Sequence, residues 1–130
     1  MNSQLLYNIG ITLLPGVGDI TAKNLIAYCG SAEGVFKAKK SHLEKIPGAG
    51  TVLVDALTNS EIQKDALTRA EEEIKFIEKK KIIPLFFTDA NYPGRLKQCA
   101  DSPVMLYTKG NMNLNTAHII SIVGARACTE

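Results

Sequence analysis

A short phrase occurs twice in the first half of this chain, and its repetition restricts the fold more than any other feature. Leu14-Pro15-Gly16-Val17-Gly18 returns 32 residues later as Ile46-Pro47-Gly48-Ala49-Gly50. In each copy an apolar anchor precedes proline and Gly-x-Gly. A helix-compatible run follows, Asp19 to Tyr28 in the first copy and Thr51 to Leu57 in the second. Proline cannot continue a helix interior, and glycine enters positive φ at little steric cost. The phrase therefore predicts helix, tight turn, helix, made twice. Apolar positions beyond the turn also coincide, Ile20 with Val52 and Leu25 with Leu57.

Glycines at the mouth of a helix leave its first N–H groups uncovered by any Cβ, and the helix dipole favours an anion there. Gly16, Gly18, Gly48 and Gly50 are the candidate phosphate contacts, with Lys23 one turn into the first helix. Two features weigh against tight binding. Asp19 sets a carboxylate directly after Gly18, and no basic residue lies between Gly50 and Asp55. Phosphate affinity comes mainly from Lys and Arg neutralisation, so the same turns also read as a structural scaffold. Nothing in them reads base sequence. Residues 3–58 resemble a tandem helix-hairpin-helix (SAM-like) domain. In many DNA-handling proteins that domain grips the backbone without reading sequence, and its active hairpins usually carry Lys or Arg where this chain does not.

The remaining elements follow from local signals. Ser3 is expected to cap a first helix through Leu13, with Leu5, Leu6, Ile9 and Leu13 on one face. Gly30 stops the next helix, and Ser31 opens a short one through Val35 and Phe36. Ser41 to Glu44 has capping-box spacing, as has Ser60 to Gln63, which starts the longest helix. That helix carries an apolar stripe of Ile62, Ala66, Ala70, Ile74 and Ile77. Asp65–Arg69 and Glu71–Lys75 have ion-pair spacing, and Lys79, Lys80 and Lys81 suit its negative end. Beyond Lys81 the period changes. Residues 82–87, 104–107 and 119–123 are short runs rich in β formers, and Pro84 puts the first at a sheet edge or delays its start.

The last of these runs enters Gly124-Ala125-Arg126 with a helix start expected just beyond, which is how a Rossmann-type phosphate loop opens. Gly124 offers close backbone approach and Arg126 a planar charged fork. Together with Tyr92-Pro93, Leu96, Asp101-Ser102-Pro103, Leu106-Tyr107 and Lys109-Gly110, this order of residues resembles the entry to the core of the DprA (Smf) family. These are the DNA-processing proteins of natural transformation and competence. The resemblance implies a helical domain followed by a Rossmann-like one that binds single-stranded DNA, forms a homodimer and helps to load the RecA recombinase. The family loop is usually Gly-Ser-Arg. Ala125 stands where the serine would be, which removes one hydroxyl donor.

The expected class is α+β. A helical helix-hairpin-helix domain spans residues 1–81, and connecting strands with the start of a truncated Rossmann-like DNA-binding domain span residues 82–130. On this reading the chain is an N-terminal part, with the RecA-contacting portion downstream. The alternatives are the front of a Rossmann-type nucleotide-handling enzyme, or a structural helical adaptor.

Composition excludes little. A net charge of +2 is too small to argue for nucleic acid by itself, so contacts must come from local placement. Cys29, Cys99 and Cys128 form no close pair and suit a reducing compartment. No run is long enough for a membrane span, and the start lacks the basic region of a secretory signal, which points to the cytoplasm. His42 and His118 have no ligand cluster around them, and no nucleophile elbow, Walker loop or HExxH occurs. Neither catalysis, nor a cofactor, nor a metal is expected. Phe86, Phe87, Tyr92 and Tyr107 could stack on bases, but their apolar neighbours favour packing.

Overall fold

Asparagine, not serine, opens the chain's two principal helices. In a computed structural model that describes residues 2–127, Asn2 accepts from the N–H groups of Gln4 and Leu5 and caps α1 (Ser3–Leu13). Asn59 does the same for Glu61 and Ile62 at the head of α6 (Ser60–Lys80). Ser3 and Ser60, the expected caps, are each the first helical residue. Asn is at least as good a cap as Ser and holds the position that accepts the N2 and N3 donors. Gln63 does not reach back in a capping box. Its amide instead donates to the carbonyls of Phe36, at 3.1 Å, and Leu57. The expected box at Ser41 also fails. Lys39 stands at the cap of α4 (Lys40–Leu43) with no side-chain bond, and Ser41 lies inside the helix.

The core is α1 laid against α6. Ala66, Ala70, Ile74 and Ile77 are buried, as the stripe requires, and Ile62 is partly so. On α1 the buried residues include Ile9 and Ile11, wider than one face, because α3 (Ala32–Lys37) covers a second side. Gly10 makes this possible. A Cβ there would meet Leu67 Cδ2 and Phe36 Cζ, each at 3.1 Å. Fully burying each of these isoleucines is worth about 1.5–3 kcal/mol. The pairs Asp65–Arg69 and Glu71–Lys75 do not close. Among the described residues the ion pairs are Lys37–Glu33 and Lys40–Asp55.

The repeated phrase folds the same way twice. Val17 N–H donates to Leu14 O and Ala49 N–H to Ile46 O; Ala22 N–H donates to Gly18 O and Val54 N–H to Gly50 O. Gly16 and Gly48 have φ of +77° and +85°, where a side chain is strained. The helices that follow are α2 (Asp19–Cys29), ended by Gly30 in the left-handed region, and α5 (Thr51–Thr58). Leu14 and Ile46 are buried, as are Ala22 with Val54 and Leu25 with Leu57. Ile20 and Val52 also correspond, but they face outward, 53% and 86% exposed.

β1 (Ile83–Phe86) and β2 (Met105–Thr108) pair antiparallel, with Leu85 opposite Leu106 and Pro84 opposite Tyr107. Pro84 sits in the strand, and in a two-stranded sheet it is necessarily at an edge. Phe86 and Met105 join the helical core. Between the strands lie a turn and α7 (Gly94–Lys97), with Tyr92 buried and its hydroxyl donating to Pro103 O. The third expected strand, residues 119–123, is not formed. The segment runs without a ladder partner, and Ile120, Ile122 and Val123 are at least 90% exposed. Its β propensity is real, but a strand needs an edge to join. The architecture is α+β, and no helix among the described residues is long and apolar enough to cross a membrane.

Candidate nucleic-acid interface

Gly18 and Gly50 each occupy the position before a helix with no side chain capping it. The N–H groups of Asp19, Ile20 and Thr21, and of Thr51, Val52 and Leu53, have no acceptor among the described residues. Nothing lies within 4 Å of a Cβ built on Gly18, Gly48 or Gly50, so both corners open to solvent. They are also neighbours. A Cβ built on Gly16 would lie 4.0 Å from Leu53 Cδ1, and Thr21 and Asn24 of α2 share a shallow cleft of about 120 Å³ with Pro47, Gly48 and Ala49. The fold thus sets two amide-rich corners side by side.

Their charged surroundings differ. At the first corner the charges turn inward. Asp19 Oδ1 accepts from Val104 N–H at 3.0 Å. Lys23 Nζ donates to Ser102 Oγ at 2.7 Å and Ala100 O at 3.2 Å, and lies 5.8 Å from the Phe87 ring centre. Ser102 is buried, so Lys23 is what satisfies its hydroxyl. These bonds join residues more than seventy positions apart, and no sequence signal announced them.

At the second corner Lys40 Nζ lies 2.9 Å from Asp55 Oδ1. That contact draws the lysine above its ordinary value, first through the hydrogen bond and then through the carboxylate's charge. It also neutralises Asp55 one turn into α5, while Glu44, exposed beside Lys45, adds a second carboxylate to the same corner. Lys39 and Lys45 lie just upstream of the same corner in the chain, exposed and with no ion pair among the described residues. They are the candidates that the sequence reading missed, because it searched downstream of Gly50 and not upstream of Ile46. His42 is exposed between them.

Gly124 and Arg126 lie apart, on the exposed terminal segment, and no hydrogen bond or ion pair links Arg126 to the corners. The segment is anchored at its root. Arg95 donates from Nη1 to Thr116 O and from Nη2 to Ala117 O, at 2.9 and 3.0 Å, and Asn115 Oδ1 accepts from Gly94 N–H. The helix start expected after Arg126, and Cys128, lie outside the described residues. Among those residues no group of three or more His, Cys, Asp or Glu could hold a metal ion.

Residues 84–130 match the family model of DNA recombination-mediator protein A. No curated protein and no solved structure matches the chain. The matched stretch takes in β1 from Pro84 onward, β2, α7, the Arg95 anchor and the Gly124-Ala125-Arg126 loop. It does not include the two glycine corners.

Proposed function

We propose that this chain is part of a DNA recombination mediator that binds single-stranded DNA without catalysing a reaction on it. The observation that carries this reading is the match of residues 84–130 to the recombination-mediator family. The two adjacent glycine corners, with their free amides, give the helical half a physical means of contributing. In this reading residues 1–81 are a helix-hairpin-helix accessory module, and residues 82–130 lead into a Rossmann-like DNA-binding core. Through that core the protein would dimerise and deliver RecA to the strand.

The proposed contacts are the backbone at Gly16, Gly18, Gly48, Gly50 and Gly124, with Arg126 as a charged fork. Lys39 and Lys45 supply the counter-charge that the glycine corners themselves lack. Lys23 contributes field rather than a full set of donors, because its ammonium already holds Ser102 and Ala100. Backbone amides and scattered cations read phosphate and not base edges, so recognition is indifferent to sequence.

Arg126→Ala tests the loop. In salt-titrated binding to two unrelated single strands, the variant should weaken both alike and lower the log–log salt slope by about 0.7. Unchanged affinity would remove Arg126 from the interface.

A further inference from the structure

One polar side chain on α1 is buried without a partner. Asn8 stands beside Ile9, Gly10 and Ile11 and is 8% exposed, yet its carboxamide makes no hydrogen bond among the described residues. No buried side-chain nitrogen or oxygen is both sealed and unpaired, so this amide looks out through an opening. Two hollows supply it. One, of about 280 Å³, extends toward Gly30, Ser31 and Thr88, and the other, of about 180 Å³, toward Asn2, Pro84 and Asp89. Gln4, Asn8 and Phe86 line both, so the hollows meet along the first two turns of α1 as one groove. The carboxamide of Gln4, one turn before Asn8, also has no partner among the described residues.

The chemistry of the groove selects its occupant. A carboxamide both accepts and donates, and so matches the N–H and C=O that one residue of an extended chain presents on the same edge. Gln4 and Asn8 share a helix face about 6 Å apart along the axis, and an extended chain repeats that edge every two residues, about 6.7 Å. Charge disfavours a sugar-phosphate chain. No Lys or Arg lines either hollow, whereas Glu33 lines the first and Asp89 the second. Glu33 pairs with Lys37, but Asp89 makes no ion pair among the described residues. The neighbouring β1 backbone cannot add a strand. Pro84 has no N–H, and Asp89 takes both groups of Phe86, its carboxylate accepting from Phe86 N–H and its own N–H donating to Phe86 O, each at 2.8 Å. Side-chain amides are left to do what a sheet edge would otherwise do. We propose that the groove holds an extended, basic peptide segment of a partner protein. Gln4 and Asn8 read its backbone, and Asp89 takes a cationic side chain. None of the residues proposed for DNA contact takes part.

Side-chain amide resonances of the full chain test this, with a blocked pentapeptide of alternating alanine and lysine as probe and its glutamate counterpart as control. The lysine peptide should shift the Asn8 and Gln4 carboxamides and bind at least about tenfold more tightly than the glutamate one. Gln4 is exposed, so Gln4→Ala leaves the fold intact and should weaken the lysine peptide about threefold. Asn8→Leu replaces an unpaired amide with an apolar group of similar size. It should weaken the peptide at least about tenfold, yet unfold at no lower denaturant concentration than the parent. Unmoved carboxamides, or equal affinity for the two peptides, would overturn the proposal. So would a destabilised Asn8→Leu, which would make the amide a part of the fold. Shifts produced by oligothymidylate would give the groove to nucleic acid, and shifts that grow with protein concentration alone would give it to a second copy. Either result also overturns the proposal.

Discussion

Single side chains in this protein often serve the fold where their type suggests a ligand. Lys23 has the position of a phosphate contact, yet two of its donors hold the loop at residues 100–102. Asp19 looks like a repulsive neighbour for phosphate, yet it is the acceptor for Val104 N–H. Tyr107 offers a base-stacking ring, but it lies half-buried against α6. Burial raises its phenol above the ordinary 10.0, and the charge of Glu73 adds to the effect. A raised pKa means that the folded state keeps its proton where the unfolded state has lost it. This contribution to stability is therefore complete below pH 10 and declines as pH rises through the folded value. Absorbance titration should place the Tyr107 transition above the free value, and Tyr107→Phe should remove that transition. An unchanged profile in Tyr107→Phe would mean that the ring is solvated.

At the scale of elements, what could be read from the sequence was what neighbours decide. The Pro-Gly-x-Gly turns, Gly30, Ser31, the α6 stripe and the first two strands all depend on residues within one or two turns. The caps show the limit of even local signals. Asn-Ser occurs at both Asn2-Ser3 and Asn59-Ser60, and either residue type can cap. Only the geometry tells which accepts the orphan amides. Asn59→Ala should lower stability by about 1 kcal/mol, while Ser60→Ala should stay within about 0.5 kcal/mol of the parent. Denaturant titration of both variants checks this, and a larger loss for Ser60→Ala would reverse the assignment. The strand at residues 119–123 failed for another reason. Its composition predicts a conformation and not a partner, and a partner is not written in neighbouring residues. The ties from α2 to residues 100–104 were invisible for the same cause.

Across the whole molecule, the duplicated turn has diverged into two uses of one geometry. The first corner holds the segment at residues 100–104 against α2 through Asp19 and Lys23. The second keeps its amides toward solvent with Lys39 and Lys45, which make no ion pair among the described residues, and Lys40 and Asp55 neutralise each other beside it. If the chain grips a sugar-phosphate backbone, that second corner carries the charge that does so, in concert with Arg126 at the far end. The most direct test is single-strand binding by the chain as a function of salt, with Lys39 and Lys45 both replaced by alanine. The parent should bind unrelated sequences equally, and the double variant should lose about 1.4 from the magnitude of the log–log slope, near 0.7 for each phosphate no longer neutralised. An unchanged slope, or affinity that follows base sequence, would contradict the account.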